Sequence, residues 1–225
     1  MLIVLEGLDG AGKSTQLEKV SGYLKSKGKN VRHLHFPRFD APVYGDLISK
    51  FLRGDFGSVE QVHPQLVALL FAEDRRDASS MIREWLNDGY CVILDRYVYS
   101  NIAFQCSKLK SREESDYLRE WIFEVEYNKF VIPKPDLNLF LDVPITFVRD
   151  KLTNNREGDD REYLKGKSDI HEASIELQKR VREIYIEQCS KDKDFINIDC
   201  SDSKGNMLAA DAIFSMIQKE IDNKI

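Results

Sequence analysis

The strongest constraint on the fold is a short apolar run that turns through glycines into a helix. Residues 2–5 are apolar, and residues 7–15 read Gly-Leu-Asp-Gly-Ala-Gly-Lys-Ser-Thr. This segment matches G-x-x-x-x-G-K-[ST] at every fixed position, and a helical pattern follows it, as the motif requires. The sequence therefore predicts a phosphate-binding P-loop. A tight turn that only uses glycine is the less favoured interpretation.

The residue types of this loop fit a polyphosphate and its metal ion. Glycines at 7, 10 and 12 can adopt positive φ, so that backbone N–H groups and the positive end of the next helix face phosphate oxygens. Lys13, expected to face solvent, places a compact charge on the β and γ phosphates, and Ser14 offers an oxygen ligand to Mg²⁺. The predicted nucleotide-binding residues are Gly7, Gly10, Ala11, Gly12, Lys13, Ser14 and Thr15.

Composition limits the class of protein and its partners. The 225 residues are 42% hydrophobic, which is enough for one well-buried core, and we expect a single domain over 1–225. The net charge of -5 argues against nucleic acid or an anionic membrane as the main partner. The four cysteines lack C-x-x-C spacing, the first apolar run is too short for a secretory leader, and no run reaches the ~20 residues of a membrane span. We expect a cytoplasmic protein.

Strand and helix signals alternate along the chain. Strands are predicted at 2–5, 31–36, 91–94, 137–141 and 195–199, and helices near 13–27, 43–52, 64–86, 113–127, 169–189 and 207–221, with further helices opening at Ser100, as a possible N-cap, and after Pro144. This alternation predicts an α/β fold with a five-stranded parallel sheet and helices on both faces. Residues 154–163, a polar segment around Gly158, are expected to form a mobile flap.

Charged residues follow two of these strands, where an α/β sheet holds its ligands. Arg38 comes after the second strand and is a candidate anion or base contact, with a solvated loop arginine as an equal alternative. Asp95 and Arg96 follow the third strand. Asp95 is a candidate base and Arg96 a candidate anion-binding residue, and the alternative is that they form only a salt bridge. On the long helix, Arg75 could reach inward beside Phe71, although a solvated charged face is the usual interpretation of such a segment.

Taken together, several strings resemble the thymidylate kinase family over nearly the whole chain. They are the P-loop with its acid at Asp9, Phe36-Pro37-Arg38, residues 70–75, Asp95-Arg96-Tyr97-x-x-Ser100, and the arginine flap before Asp169-Ile170-His171-Glu172. The resemblance implies a P-loop kinase fold with a short lid at about 153–168, ATP and thymidylate as substrates, Mg²⁺, and a homodimer formed through the apolar faces of the long helices.

The resemblance also assigns roles residue by residue. The implied acceptor contacts are Asp9, Phe36, Arg38, Phe71, Arg75, Arg96, Asn101, Phe104, Gln105 and Glu172, in which Phe71 stacks on the base, Arg75 reads it, and Arg38 and Arg96 hold the phosphate. The implied metal contacts are Ser14, Asp95 and Asp9. The implied catalytic residues are Lys13, Asp95, Arg96, Arg156 and Arg161, because members with glycine at the position of Gly10 supply the catalytic charge from the flap.

Two positions depart from the family pattern. His171 stands where many members have tyrosine, and Lys151 stands where an arginine near the adenine is common. The alternatives are a kinase for another nucleoside monophosphate or for a deoxynucleoside, and a nucleotide-dependent switch. The switch is disfavoured because the guanine-reading Asn-Lys-x-Asp motif is missing, since Asn128-Lys129 has Val131 where aspartate is needed.

Overall fold

A single parallel sheet organises the chain. The computed structural model describes residues 1–153, 159–167, 169–172 and 174–224, with the backbone alone at 153 and 159–161. The strands are β1 (Leu2–Gly7), β2 (Val31–His35), β3 (Cys91–Asp95), β4 (Leu137–Asp142) and β5 (Phe195–Asp199). They pair in the order β2-β3-β1-β4-β5, and every pairing is parallel. This architecture confirms the predicted fold class.

Helices connect the strands and cover the sheet. The α-helices among the described residues are α1 (Lys13–Ser26), α2 (Tyr44–Leu52), α3 (Pro64–Asn87), α4 (Val98–Cys106), α5 (Arg112–Phe123), α6 (Ile145–Thr153), α7 (Ile175–Lys191) and α8 (Ala210–Asp222). A π-helical turn, Glu124–Lys129, continues α5, and a 3₁₀ helix spans Asp159–Leu164. In the part of the chain that the structure describes, no helix combines the length and the apolar character needed to cross a membrane.

Burial follows the position of each strand in the sheet. Every residue of β1, β3 and β4 is buried, because these central strands have neighbours on both edges and helices on both faces. The edge strands β2 and β5 are partly exposed. The chain runs from β1 to β2 and returns through β3, and it then continues to β4 on the other side of β1. The crevice at the carboxyl end of β1 is therefore the expected ligand site.

Three predicted helix starts were wrong. Ser100 is the third residue of α4 rather than its cap, and its hydroxyl bonds to buried Glu6 instead of a helix N–H. The helix expected from residue 169 begins at Ile175, where Ser174 accepts a bond from the N–H of Leu177. The helix expected from residue 207 begins at Ala210, because Met207 forms an isolated bridge with Ser201.

A smaller apolar cluster joins α2 and α3 to the segment before α7. Its fully buried members are Ile48, Phe51, Leu52 and Val67. Tyr163 stacks on Phe39 with ring centroids 3.7 Å apart, and the N–H of Ile170 bonds to the carbonyl of Leu52 at 2.9 Å. Tyr163 and Ile170 therefore attach the segment before α7 to this cluster. The rest of the expected flap, including Arg156 and Gly158, lies outside the described residues, and so does the side chain of Arg161.

Candidate active site

A cleft of about 1280 Å³ opens at the carboxyl edge of the sheet. It collects residues from the β1–α1 loop, the ends of β2 and β3, helices α3, α4 and α6, and the segment before α7. The predicted site residues that line it are Asp9, Gly10, Ala11, Gly12, Lys13, Ser14, Thr15, Phe36, Arg38, Phe71, Arg75, Asp95, Arg96, Asn101, Phe104, Gln105 and Glu172. Residues distant in sequence thus meet in one cleft.

The glycine loop uses its glycines in two ways. Gly10 and Gly12 have φ of 75° and 80°, and Gly12 caps α1, so the amino end of α1 opens into the cleft. Gly7 was expected to share this freedom, but it is the last residue of β1 and does not have a positive φ. It serves close packing instead, because a Cβ there would lie 3.3 Å from the Cβ of Ala11.

Lys13 and Asp95 form the charged floor of the cleft. Lys13 was expected to face solvent, but its side chain is only 8% exposed, with Nζ 3.1 Å from the carbonyl oxygen of Leu8 and 3.9 Å from Oδ1 of Asp95. Oδ2 of Asp95 lies 3.2 Å from Nδ1 of His35. Burial alone would raise the pKa of Asp95, but Lys13, His35 and Arg96 hold it well below its ordinary value. Asp95 is therefore a carboxylate at neutral pH and a weak candidate for a general base.

Arg96 lies at the start of the turn between β3 and α4. Its φ of 68° is left-handed, which is rare for a residue other than glycine, and it turns the side chain towards the β1–α1 loop. Nη2 donates to Oδ1 of Asp9 at 2.7 Å, Nη1 donates to Oγ of Ser100 at 3.1 Å, and the guanidinium lies 5.1 Å from the centroid of the Phe104 ring. Burial alone would lower the pKa of Arg96, but Asp9 and other nearby acids raise it, so the cation is permanent.

Arg38 is held by α3 rather than solvated. Its Nε donates to Oδ1 of Asp74 at 2.8 Å, its own N–H donates to Oδ2 of Asp74 at 2.9 Å, and Nη2 donates to Oδ2 of Asp77 at 2.7 Å. Burial alone would lower the pKa of Arg38, but these two carboxylates raise it. The cleft therefore has a second fixed cation beside Phe36, which is buried against Tyr97.

Arg75 is fixed by an acid that the sequence did not reveal. Its side chain is 2% exposed, Nε donates to Oε2 of Glu126 at 2.5 Å, and Nη2 donates to Oε1 at 2.7 Å. Asn101 donates from Nδ2 to the same Oε1 and to the carbonyl of Ala68, both at 3.0 Å. These two acceptors fix the orientation of the amide. Oδ1 of Asn101 is buried and has no hydrogen-bond partner among the described residues.

Aromatic rings line the space between Arg75 and Arg96. Phe71 is half-buried on α3 and meets the ring of Phe51 edge-on, with centroids 6.4 Å apart. Phe104 is buried on α4 and stacks on His171 at 5.1 Å. Gln105 is 1% exposed, and its Oε1 accepts a bond from Nζ of Lys108 at 2.7 Å. The walls are flat and apolar, which suits a planar ring system.

Three acidic residues, Asp9, Asp169 and Glu172, line the cleft on the side of α7. Gln178 donates to Oδ2 of Asp9 and to the carbonyl of His171, both at 3.0 Å, and Glu172 lies half-buried beside them. Burial, with Asp9 and Glu172 nearby, raises the pKa of Asp169 to about 7 although the hydroxyl of Tyr163 donates to it. Burial and Lys108 lower the pKa of His171 well below its ordinary value, so this imidazole is neutral.

The donor set fits a magnesium ion that is held mainly by phosphates. Ser14 is exposed at the amino end of α1, and Oδ1 of Asp95 is buried without a hydrogen bond from any described residue. In the described ranges no cluster of three or more His, Cys, Asp or Glu side chains could hold a metal ion. One hydroxyl and one carboxylate suffice for Mg²⁺, which retains waters and takes its other ligands from substrate phosphates.

Sequence reasoning missed three buried groups of the site: Glu6, Glu126 and Gln178. Glu126 follows Val125 on an amphipathic helix, where a charged residue normally faces solvent, but the π-helical turn adds a residue per turn and Glu126 is fully buried. Glu6 interrupts an apolar strand. Because central strands of a parallel sheet are buried on both faces, a glutamate at this position indicates a buried carboxylate, and this signal could have identified it. Nothing in the sequence around Gln178 distinguishes it from a surface glutamine.

Comparisons with known proteins agree with this geometry. A family model described as thymidylate kinase matches residues 5–210. Thymidylate kinase of Mycobacterium tuberculosis (strain H37Rv) is 34% identical over 187 residues, which cover 83% of this chain and 85% of that protein. Thymidylate kinase of Plasmodium falciparum is 31% identical over 200 residues, which cover 88% and 81% of the two chains.

The fold comparison points to the same group. A solved structure of thymidylate kinase from Candida albicans superposes with a TM-score of 0.72 and 26% identity, over 99% of this chain and 91% of that one. The family model covers most of the sequence, and the relatives match across most of their own length. On these matches, together with the P-loop and the parallel sheet described above, the chain belongs to the thymidylate kinase family.

Proposed function

We propose that this protein transfers the γ-phosphoryl group of ATP to the 5′-phosphate of thymidylate, giving thymidine diphosphate and ADP. The observation that carries the proposal is the pairing of a P-loop with a second, separate set of buried donors and acceptors in the same cleft. The P-loop serves the donor nucleotide. Arg38 and Arg96 serve the acceptor phosphate, and the Arg75 and Asn101 pair serves the acceptor base.

The base end complements the edge of thymine. Arg75 binds Glu126 through Nε and Nη2, so the N–H groups of Nη1 remain for another acceptor, and no described residue accepts from them. Arg75 and Asn101 donate to the same oxygen of Glu126 and both line the cleft, so we propose that the free N–H groups of Arg75 and Oδ1 of Asn101 serve the edge of one base. Thymine offers an O4 acceptor next to an N3–H donor, whereas cytosine offers the reverse pattern. Phe71 supplies a surface on which the ring stacks.

The phosphate end lowers the repulsion between two anions. A phosphate acceptor oxygen is already anionic at neutral pH, so positioning and charge stabilisation dominate over general-base help. Lys13 and the amino end of α1 hold the ATP phosphates, while Arg38 and Arg96 hold the acceptor phosphate. When bound, Mg²⁺ neutralises charge on the β and γ phosphates, and Ser14 and Asp95, with Asp9 nearby, are the residues that would hold it. A hydroxyl acceptor would need a free carboxylate base, which Asp95 is poorly suited to be.

The flap supplies the remaining charge in this proposal. The P-loop has glycine rather than arginine at position 10 and therefore supplies no cation there. A Cβ at this position would lie 3.2 Å from the Cβ of Lys151. Arg156 and Arg161, in the lid at about 153–168 of this single-domain chain, are proposed to meet the transferred phosphoryl group as the lid closes and excludes water.

The oligomeric state and the compartment complete the proposal. Leu66 and Leu69 on α3 are 65% and 36% exposed although they are apolar and one turn apart. We propose that this face of α3 joins two copies of the chain into a homodimer. All four cysteines are free thiols, which together with the need for ATP supports a cytoplasmic location.

Base selectivity tests the substrate assignment. The wild type should prefer thymidylate over deoxycytidylate by ~10² or more in kcat/KM, because two buried polar contacts are mismatched at ~1–3 kcal/mol each. Asn101→Ala should reduce this preference about 5- to 150-fold and leave the KM for ATP unchanged. Asn138→Ala is the matched control, since Asn138 also has a buried Oδ1 with no hydrogen-bond partner in the described part of the chain, but it lies on β4 outside the cleft. A wild type that prefers deoxycytidylate or adenylate would contradict the assignment.

Removal of the P-loop lysine should affect both activity and stability. Lys13→Met should abolish most activity and, because the buried Asp95 carboxylate loses a cation, should lower the free energy of unfolding at pH 7 by about 1–3 kcal/mol. This difference should shrink as the pH falls below the ordinary pKa of aspartate, because a protonated Asp95 gains nothing from Lys13. Lys13→Met/Asp95→Asn should regain stability in urea denaturation without regaining activity. Unchanged stability of Lys13→Met at every pH would show that the ion pair is unimportant.

The flap arginines should act on turnover. Arg156→Ala and Arg161→Ala should each lower kcat by ~10³, the scale of an arginine that acts only in the transition state. Arg149→Ala on α6, whose exposed side chain pairs with Asp150, is the control and should retain kcat. Steady-state kinetics with each substrate varied in turn distinguishes the roles. Mutants that change only the KM for ATP would mean that the flap binds ATP without contributing catalytic charge.

Sedimentation velocity tests the proposed dimer. The wild type should sediment as a dimer, and Leu66→Lys and Leu69→Lys should shift it to the monomer because a buried lysine cannot be paired across an apolar contact. Tyr117→Lys on α5, where the native side chain is 62% exposed, should leave the dimer intact. A monomeric wild type at micromolar concentration would contradict this interface.

A further inference from the structure

A buried carboxylate, Glu6, lies directly beneath the cleft. We propose that Glu6 is a positioning residue that holds Arg96 in the conformation that binds the acceptor phosphate. Glu6 is the penultimate residue of β1, is fully buried, and is not among the residues that line the cleft. It therefore acts through another residue rather than on a substrate. The inference rests on the proposed function, because it assumes that Arg96 holds the phosphate of thymidylate.

The backbone around Arg96 is attached to β1 on both sides. The N–H of Arg96 donates to the carbonyl of Leu5 at 2.9 Å, and the N–H of Tyr97 donates to Oε1 of Glu6, also at 2.9 Å. The N–H of Ser100 donates to the same oxygen at 3.1 Å. A left-handed φ at a residue other than glycine costs free energy, and it persists only where its surroundings impose it. Here the bond to the carbonyl of Leu5 and the carboxylate of Glu6 hold the backbone on the two sides of Arg96.

The guanidinium of Arg96 is attached to Glu6 as well, through two hydroxyl groups. Nη1 lies 3.1 Å from Oγ of Ser100 and 3.4 Å from the hydroxyl of Tyr185. Ser100 in turn donates to Oε2 of Glu6 at close range, and the hydroxyl of Tyr185 lies 3.1 Å from the same Oε2 and 2.7 Å from Oγ of Ser100. Glu6 and Arg96 thus form an ion pair bridged by hydroxyls, while Nη2 faces Asp9 at the edge of the cleft.

The partners of Glu6 indicate that it acts as a carboxylate. Two are backbone N–H groups, which can only donate, and the hydroxyl of Ser100 lies within reach of donors from Arg96 and Tyr185, which leaves its own proton for Glu6. Burial raises the pKa of Glu6, and the hydrogen bonds from Ser100 and Tyr97 together with the charge of Arg96 oppose that rise. A neutral amide in its place would turn an N–H group towards a donor and would release either the backbone turn or the hydroxyl bridge.

Glu126 offers a matched comparison at the other end of the cleft. It is also fully buried, and it also orients an arginine, but it binds Arg75 at the base end. Loss of either carboxylate should weaken the binding of thymidylate. Only the loss of Glu6 should act through the phosphate, so thymidine, which lacks the phosphate, separates the two effects.

The experiment measures the dissociation constants of thymidine and thymidylate by calorimetry, without ATP, for the wild type, Glu6→Gln and Glu126→Gln. In the wild type, thymidylate should bind more tightly than thymidine by a factor that reports the phosphate contacts. Glu6→Gln should reduce this factor about 10- to 100-fold. This is the loss in affinity seen at metal sites when a residue that orients a ligating side chain is removed, and Glu6 stands in the same relation to Arg96. Glu126→Gln should weaken both ligands together and leave the factor within about twofold of the wild type.

Two further variants keep the test decisive if Glu6→Gln does not fold. Tyr185→Phe and Ser100→Ala each remove one hydroxyl of the bridge, and each should reduce the factor while leaving the dissociation constant of thymidine nearly unchanged. Equal weakening of thymidine and thymidylate in these variants would overturn the inference and make Glu6 a purely structural residue. A wild type that binds thymidylate no more tightly than thymidine would refute the proposed function itself, and the inference with it.

Discussion

The parallel pairing of β1 with β3 is the contact on which the site depends. In its register Leu5 lies opposite Asp95, so the residues that leave β1 and those that leave β3 emerge side by side. The glycine loop follows one strand and Arg96 follows the other, and Nζ of Lys13, at the start of α1, lies 3.9 Å from Oδ1 of Asp95. The strand β4 pairs with the other edge of β1. The two strands that flank the start of the glycine loop are therefore fixed by backbone pairing.

Buried charges give this cleft its specificity more than its stability. Glu6, Glu126, Arg75 and Asp74 are almost completely excluded from solvent, and each is compensated by several hydrogen bonds. Such pairs often contribute little net stability, because desolvation offsets their attraction. They do restrict each guanidinium to one orientation, which is what recognition of a phosphate or of a base edge requires. These contacts preorganise the cleft.

The first turn of α4 connects the two ends of the acceptor site. Ser100 contacts Arg96 and Glu6 on one side, and Asn101, the next residue, contacts Glu126 beside Arg75 on the other. Consecutive residues of a helix point about 100° apart, so a single rigid turn can support both ends. The helix backbone thereby fixes the spacing between Arg96 and Arg75, the residues proposed to hold the acceptor phosphate and the acceptor base.

The sequence by itself determined the P-loop, the five strands and most helix bounds, because these depend on local periodicity and on glycines that the backbone needs. It also indicated that Arg38, Asp95 and Arg96 meet in the cleft, since charged residues that follow parallel strands lie at one edge, whereas the family resemblance supplied the other acceptor residues. It did not determine which charges are buried together. Arg75 and Glu126 are 51 residues apart, Glu6 and Tyr97 are 91 apart, and Asp9 and Gln178 are 169 apart. The polarity pattern of a single helix or strand shows which residues are polar, but only the packing of its neighbours decides whether a polar side chain meets water or an opposite charge.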